Sequence, residues 1–526
     1  MNQYQLPPPE AFGLPVKFTS WRQDQERAIL LISQPETRFT ISNKPTGGGK
    51  SLDYITAAIL SGKRTAILTS TKGLQHQLYR DFGQEPGATI VMGKNEYKCQ
   101  LFPISCEYGP CRFGLACSYK KSGCPYYDNL AKARNSNIII TNYAFWFKHR
   151  RLFEAIGPID FLVCDEAHDT TSKMLDALSL TLTQWTCENI LKIDLPDNNL
   201  GDEHYWSWIK DISKQTIAYV EQISKDKHIL REKINDKRFQ AICDFAQRFA
   251  NIIIDADPTQ WVVEHTGKAL TFDPIQPLDF AEEMLFKDIS QILLTSATIN
   301  SGMVEYLGPD KEDITYYEFD SYFPAKNHPI TFIPTVRVYG KYRMKEQDYR
   351  IWLSRIDNII GNRLDRNGII HSVSYDNCKI IYAQSEYSDQ MIIHDSKDRE
   401  KMIQYFKSNK DNPPNILLSP SITTGYDFPG RECEYQIITK IFFPDARRKV
   451  DKIRRELNPD YYNNMTMITL EQACGRGWRF ENDRCETSII DNHWLWFKKK
   501  NERFMHRWFK RLLRQSNTIP EPQEKL

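Results

Sequence analysis

The sequence lacks long apolar runs and lacks an export signal. None of its apolar stretches approaches the roughly 20 residues that a membrane-spanning helix needs. The first residues, Met1 to Pro9, do not have the basic and then apolar layout of a signal peptide. Both absences argue against a secreted or membrane-bound protein. We expect an intracellular protein, cytoplasmic or associated with the nucleoid.

The sequence also lacks an excess of either charge. Its 69 lysines and arginines stand against 67 aspartates and glutamates, a formal net charge of +2. This balance gives no long-range field that would draw the chain onto nucleic acid, so such binding must come from local basic patches. Internal repeats and low-complexity tracts are missing too, which argues against solenoid and largely disordered proteins.

A chain of 526 residues is too long for one hydrophobic core, so several domains are expected. Strand-like runs alternate with helical patterns early in the chain and again from about Ile330, which predicts an α/β protein with two parallel-sheet domains. A cysteine-rich segment and a charged, mostly helical segment without recognisable strands interrupt the first domain. The expected first domain comprises residues 1–93, 135–170 and 287–326, the last of which includes a linker. The two insertions comprise residues 94–134 and 171–286, and the second domain comprises residues 327–526.

A glycine-rich turn follows the first strand-like run, Arg38 to Ser42, and leads into a helical segment. Such a turn surrounds phosphates with backbone N–H groups, with Lys50 at the terminal phosphates and Ser51 at a magnesium ion. Lys44 departs from the general pattern, which has glycine there. Taken alone, the turn could also be a loop without function. The predicted nucleotide contacts are Thr46, Gly47, Gly48, Gly49, Lys50 and Ser51.

Two carboxylates follow the apolar run Phe161 to Cys164 in the same domain. At the end of a buried strand, Asp165 would bind magnesium and Glu166 would orient a water molecule, which hydrolysis of a γ-phosphate requires. This second match argues against a chance glycine-rich loop. We therefore expect ATP and Mg²⁺ as cofactors.

Further segments resemble motifs of superfamily 2 helicases. Leu68 to Gln77 resembles the motif that contacts the nucleic-acid backbone, and Leu294 to Thr298 resembles the motif that couples hydrolysis to movement. The segment around Gly425 and Asp427 and the segment from Gln472 to Arg479 resemble the corresponding motifs of the second domain. The resemblance assigns catalytic roles to Gln472, Arg476 and Arg479, nucleotide contacts to Gly425 and Asp427, and, more weakly, an adenine contact to Arg22 and Gln25.

Arginines near the end of the chain suit this chemistry. Arg476 and Arg479 lie about one helical turn apart, and guanidinium groups can meet the charge that develops on a transferring phosphoryl group. If both come from the second domain, hydrolysis requires the two domains to close on one nucleotide. Without Gln472 beside them, two arginines would more simply form a solvated helix face.

Five of the twelve cysteines crowd into the segment from Cys99 to Cys124. Short glycine-punctuated loops let thiolates converge, and four thiolates can hold a [4Fe-4S] cluster or a zinc ion. The flanks Met92 to Cys99 and Cys124 to Tyr127 resemble those of iron-sulfur helicases of the XPD/DinG group, which favours the [4Fe-4S] cluster. The resemblance assigns Cys99 and Cys124, and the spacing favours Cys111 and Cys117 as the middle pair, with Cys106 as an alternative to either.

The resemblance implies an ATP-hydrolysing DNA helicase that works as a monomer on single-stranded and forked duplex DNA. It implies 5′ to 3′ translocation, with the iron-sulfur domain as the wedge and residues 171–286 as a small arch. The alternatives are a translocase that removes proteins or resolves RNA–DNA hybrids and, more remotely, a redox-sensing binding protein. The basic, aromatic segment Trp494 to Arg514 suits a single-strand track or, more simply, a packed surface helix.

Overall fold

The structure is a computed structural model that describes residues 5–113, 115–149, 156–339, 344–422 and 425–524. Two seven-stranded parallel sheets organise it. The strands before residue 320 are β1 (Phe39–Asn43), β2 (Thr65–Thr69), β3 (Thr89–Ile90), β4 (Ile138–Asn142), β5 (Phe161–Asp165), β6 (Leu180–Thr183), β7 (Trp261–His265), β8 (Ala269–Pro274), β9 (Gln291–Ser296) and β10 (Ile314–Glu318).

The first sheet has the strand order β10-β1-β9-β5-β2-β4-β3, and all of its pairs are parallel. Its central strands are fully buried because helices cover both faces, as expected for a parallel sheet. We call the domain built on this sheet the first lobe. The helices before residue 310 are Gln25–Ser33, Lys50–Ser61, Lys72–Phe82, Pro125–Arg134, Tyr143–His149, Thr170–Leu178, Asp202–Lys225, Lys227–Lys233, Lys237–Ile252, Leu278–Ala281 and Ser301–Glu305.

The second sheet defines the second lobe and has the order β13-β14-β12-β15-β16-β11-β17, again with parallel pairs. Its strands are β11 (Ile330–Val336), β12 (Gly368–His371), β13 (Met391–Ile392), β14 (Ile416–Ser419), β15 (Tyr435–Ile438), β16 (Glu486–Asp491) and β17 (Leu513–Gln515). Its helices are Glu346–Gly361, Tyr375–Gln384, Arg399–Ser408, Lys449–Leu457, Pro459–Cys474, His493–Asn501 and Arg507–Leu512. The predicted fold class, two parallel-sheet domains with the first interrupted, is confirmed.

The expectation that the segment 171–286 contains no strands is wrong. It is mostly helical, but β6, β8 and β7 form a three-stranded antiparallel sheet in that order. The turn between β7 and β8 contains Gly267 at φ 81°, a left-handed conformation that favours glycine. Each strand is only four to six residues long. Alternation over so few residues is a weak signal beside the long helical pattern of Asp202–Lys225 and Lys237–Ile252.

The cysteine-rich segment between β3 and β4 has short 3₁₀ turns instead of strands. An isolated bridge between Lys98 and Ser105 brings its first two cysteines, Cys99 and Cys106, onto neighbouring arms. Cys106 and Cys124 pack into the same apolar cluster as the core of the first lobe. The segment therefore packs on the first lobe.

Within the described part of the chain, no helix is long and apolar enough to cross a bilayer.

Candidate active site

The glycine-rich turn connects β1 to the helix Lys50–Ser61 at the carboxyl edge of the first sheet. Gly47 and Gly49 adopt φ values of 77° and 81°, which side chains tolerate poorly. An added Cβ would lie 2.4 Å from Phe323 at Gly47, 2.9 Å from Lys44 at Gly48 and 2.5 Å from Gln25 at Gly49. Conformation therefore favours glycine at Gly47 and Gly49, and close packing favours it at all three positions. Lys50 is the first residue of the helix, where a terminal phosphate would meet its N-terminus.

Asp165 ends β5 and Glu166 follows it in the left-handed region, with φ 49°. The Tyr54 hydroxyl donates to Asp165 Oδ2 over 3.3 Å and also contacts Ser51, so the two predicted magnesium ligands lie together. A hydroxyl and a carboxylate are hard oxygen ligands of the kind that Mg²⁺ takes. Burial and the neighbouring charge of Glu166 raise the pKa of Asp165 to about 7.

The pKa of the neighbouring Glu166 is shifted in the opposite direction from that of Asp165. Burial alone would raise its pKa, but Lys50, His168, Arg476 and Arg479 outweigh burial and hold the pKa below its usual value. His168 Nδ1 lies 3.3 Å from Glu166 Oε2. An ionised carboxylate surrounded by cations suits the orientation of an attacking water molecule.

Residues of the coupling motif meet the second lobe at this point. His168 Nδ1 lies 2.7 Å from Ser296 Oγ, and Gln472 Nε2 donates to Thr298 Oγ1 over 2.7 Å. Gln472 Oε1 in turn accepts a hydrogen bond of 2.7 Å from Arg476 Nη2. Side chains from the two lobes therefore form one continuous polar network.

The two predicted arginines share one carboxylate, Asp427. Arg476 Nη1 lies 3.4 Å from Asp427 Oδ1, and Arg479 Nη2 donates to Oδ2 of the same residue. Burial lowers the pKa of Arg476, but a guanidinium keeps its charge in proteins. Predicted residues from both lobes line one cleft, namely Thr46, Glu166, Gly425, Asp427, Gln472, Arg476 and Arg479.

Arg22 and Gln25 were weak expectations for adenine contact. Gln25 is buried, and its side-chain amide donates to Asp53 Oδ1 over 2.9 Å and to the carbonyl of Gly49 over 3.2 Å. Arg22 donates from its guanidinium to the carbonyl of Gly47. Both side chains therefore contact the glycine-rich turn from Thr46 to Lys50, which we call the phosphate loop.

Several residues that hold the site were missed from the sequence. Asn300 and Asn464 exchange reciprocal amide hydrogen bonds of 2.8 Å between the lobes. Trp508 Nε1 donates over 3.1 Å to the carbonyl of Ala297. These contacts had no local signal, because partners separated by more than 150 residues leave no spacing pattern. Lys44 was recognised as unusual in the sequence, but its burial and its partner Asp53 became visible only in the structure.

The five clustered cysteines differ in their surroundings. Cys106 and Cys124 are buried, whereas Cys99, Cys111 and Cys117 are partly exposed. Burial, and then the neighbouring thiols of Cys124, Cys99 and Cys111, raises the pKa of Cys106 to about 12. No three metal-binding side chains among the described residues stand close enough to hold a metal ion in this arrangement. The iron-sulfur cluster stays a prediction.

The basic, aromatic segment near the end of the chain divides into two short helices and β17. Trp494, Trp508 and Phe509 are buried in the core of the second lobe. Trp496 is 46% exposed, with Lys500 Nζ 5.2 Å from its ring centre. Most aromatic residues of the segment therefore support packing, and Trp496 alone among these four remains open to solvent.

Comparison with known proteins gives the same division of the chain. A family described as DEAD/DEAH box helicase matches residues 22–191, and one described as helicase C-terminal domain matches residues 363–511. A probable ATP-dependent helicase of Methanocaldococcus jannaschii is 25% identical over 252 residues. That match covers 38% of this chain and 39% of the relative, less than half the length of either protein.

Solved structures extend the likeness over nearly the whole chain. An XPD helicase structure superposes with a TM-score of 0.62 at 16% identity and covers 94% of this chain and 98% of its own. Xpd4 of S. tokodaii superposes with a TM-score of 0.57 at 12% identity and covers 94% and 100%. At such identities these likenesses concern the fold.

Proposed function

We propose that the chain is an XPD/DinG-like helicase of superfamily 2 that hydrolyses ATP to move 5′ to 3′ along single-stranded DNA and to unwind forked duplex DNA. The observation that carries the proposal is the cleft between the lobes, where Glu166 from the first lobe faces Arg476 and Arg479 from the second. A site assembled from both lobes is complete only when they approach each other, so turnover can drive movement.

In the proposed reaction each residue has a separate task. The backbone N–H groups of Thr46 to Lys50 would surround the phosphates, and Lys50 would neutralise the terminal ones. Ser51 and Asp165 would hold Mg²⁺, which offsets the charge of the phosphate oxygens. Glu166 would orient the attacking water molecule. Arg476 and Arg479 would stabilise the charge of the transition state, as arginine fingers do.

The same cleft gives roles to the remaining predicted residues. Gln472 joins Thr298 to Arg476, so a change at the γ-phosphate can reach the coupling motif. Asp427 holds the two arginines beside the cleft. Gly425 lines the cleft beside it. Together these contacts describe a route from hydrolysis to movement of the lobes.

We extend the proposal to a [4Fe-4S] cluster in the cysteine-rich insertion, held by Cys99, Cys111 and Cys124. The fourth ligand is Cys117 by spacing or Cys106 by its packing against the other thiols. Thiolates in short loops suit such a cluster, which would fix the insertion as a rigid wedge. With residues 171–286, the insertion would guide the single strand.

The test is strand displacement with defined overhangs. We expect the protein to release a strand from a 5′-tailed duplex but not from a 3′-tailed duplex, and only with ATP. The variant Lys50→Ala should keep its fold by circular dichroism and lose DNA-stimulated hydrolysis. Full stimulated hydrolysis in Lys50→Ala would contradict the proposed site. RNA and RNA–DNA hybrid arms of the same assay test the translocase alternative, which they would favour if hybrids were preferred to DNA.

A redox-sensing protein that binds without hydrolysis is disfavoured by the cleft. Such a protein would need neither Glu166 nor the pair Arg476 and Arg479, yet all three converge on one site.

A further inference from the structure

A buried ion pair lies directly beneath the phosphate loop. Lys44 Nζ is 2.6 Å from Asp53 Oδ2, and their side chains are only 3% and 2% exposed. Burying two charges costs free energy that their attraction seldom repays, so such a pair is weak evidence for stability. Its position suggests another role. Lys44 ends the strand side of the loop, and Asp53 lies in the first turn of the helix that follows.

The pair is tied to the loop between its two members. Asp53 Oδ1 accepts a hydrogen bond of 2.9 Å from Gln25 Nε2, and the same amide donates to the carbonyl of Gly49 over 3.2 Å. The aliphatic part of Lys44 packs against Gly48, where an added Cβ would lie 2.9 Å from Lys44 Cγ. A backbone hydrogen bond also ties Lys44 to the coupling motif, because Lys44 N donates to the carbonyl of Ser296.

Lys44 is not placed to bind phosphate. Its ammonium group is engaged by Asp53 and lies 5.5 Å from the centre of the Phe319 ring. Lys50, at the helix N-terminus, is the lysine in position for the phosphates. Lys44 and Asp53 are therefore placed to support the phosphate loop and not to contact a bound phosphate.

We propose that Lys44 and Asp53 are positioning residues that, with Gln25, hold the phosphate loop in its nucleotide-binding shape before ATP arrives. This inference rests on the proposed function, because it assumes that the loop binds ATP. It also explains why a lysine stands where most such loops have a small residue. A loop that is already ordered loses less conformational entropy on binding. Loss of the Lys44–Asp53 pair, which we call the brace, should therefore appear chiefly as weaker nucleotide affinity.

A double-mutant cycle tests the brace. Lys44→Met and Asp53→Asn each leave one buried partner alone, and we expect each to weaken ATP binding about tenfold or more. The variant carrying both changes leaves no unpaired charge, so its affinity should recover to within a few-fold of the wild type. Affinity is measured with a fluorescent ATP analogue, and KM and kcat for DNA-stimulated hydrolysis are measured in parallel. The defect should fall on KM more than on kcat.

The opposite pattern would overturn the proposal. If Lys44 contacted phosphate directly, Asp53→Asn would bind nucleotide normally and the double variant would be as weak as Lys44→Met. Strictly additive losses would also overturn it, because they would show that the two side chains do not act as a pair. If a single variant fails to fold, Gln25→Ala tests the same proposal, because it removes the amide between Asp53 and Gly49 and leaves the ion pair intact. Gln25→Ala should still weaken ATP binding, and unchanged affinity would overturn the proposal.

The matched control is a buried ion pair of the second lobe. Arg363 Nε lies 2.8 Å from Glu486 Oε1, and both side chains are buried. Arg363→Met should lower the melting temperature and leave ATP affinity unchanged. Failure of the helicase proposal is distinguishable, since wild-type protein without DNA-stimulated hydrolysis could still bind the ATP analogue and report on the brace.

Discussion

Asp427 is the residue on which the arrangement of Arg476 and Arg479 depends. It accepts from both side chains, although Arg476 lies in the 3₁₀ turn Gly475–Gly477 and Arg479 follows the extended residue Trp478, so the two arginines do not share a helical turn as the sequence suggested. Both guanidinium groups also lower the pKa of Glu166 across the cleft. Their charges therefore reach Glu166, as the proposed role of both arginines at a γ-phosphate requires.

Replacing the arginines by lysine should separate charge from geometry. Arg476→Lys and Arg479→Lys keep one positive charge but lose the planar fork that binds phosphoryl oxygens. We expect kcat for DNA-stimulated hydrolysis to fall about 100-fold, with a smaller change in KM for ATP. The control Arg431→Lys, in an exposed ion pair with Asp411, should hydrolyse ATP normally. A change confined to KM would argue that the arginines only bind nucleotide.

The choice of cluster ligands can be tested at single cysteines. Cys106 is buried beside Cys124 and near Cys99 and Cys111, whereas Cys117 is partly exposed. We therefore expect Cys106→Ser, purified without oxygen, to lose iron and visible absorption, and Cys117→Ser to retain both. The reverse result would favour the ligand set that the spacing suggests. Zinc in place of iron in the wild type would refute the cluster itself.

At the scale of elements, the segment from Met505 to Leu512 links the second lobe to the coupling motif. His506 Nε2 lies 3.1 Å from the carbonyl of Ile299, and His506 Nδ1 contacts the buried carboxylate of Glu471. Trp508 bonds the carbonyl of Ala297 in the same motif. A short helix of the second lobe thus holds the loop that follows β9 in the first lobe.

The contribution of His506 should depend on pH. Burial lowers its pKa, but Glu471, the Ile299 carbonyl and Glu318 outweigh burial and raise the pKa above 6.5. A histidine with a raised pKa in the folded state stabilises fully below its unfolded pKa and loses that stabilisation as the pH rises through the folded value. The difference in melting temperature between wild type and His506→Gln should therefore shrink from about pH 6 to about pH 9.

Thermal melts over that range check the prediction. His228→Gln is the control, because His228 is exposed on its helix beside Glu232. Its effect should be small at every pH. A constant or growing difference for His506→Gln would show that the histidine is neutral in the folded protein.

At the scale of the whole molecule, the two insertions of the first lobe contact each other. Arg112 of the cysteine-rich insertion donates to Gln247 over 2.9 Å and to the carbonyl of Cys243 over 3.2 Å. Tyr108 donates to Asp244 on the same helix. The helical insertion also reaches the second lobe, where Arg454 donates to the carbonyl of Ile275 over 3.0 Å.

Breaking the contact between the insertions should uncouple unwinding from hydrolysis. We expect Arg112→Ala to reduce strand displacement several-fold while ATP hydrolysis on single-stranded DNA stays near that of the wild type, because the cleft is intact. Both rates are measured on the same preparation. Lys120→Ala, on an exposed side chain of the same insertion, is the control. Equal losses in both rates would place the effect in the motor lobes instead.

The sequence by itself determined the two parallel sheets and the candidate residues of a nucleotide site. Glycine-rich turns and carboxylates after buried strands are local patterns, and Lys50, Asp165 and Glu166 lie where strand ends place them. The cysteine-rich insertion was visible for the same reason, since its members lie close together in the chain.

Only the tertiary structure decided how these local pieces are held. Gln25 contacts the glycine-rich turn, whereas the sequence suggested a contact to adenine, and His506 contacts the carbonyl of Ile299, more than 200 residues away. The three-stranded sheet of the helical insertion was hidden because β6 pairs with a strand about 90 residues further along. Contacts between such distant residues depend on how the lobes pack, and no periodicity within the chain encodes them.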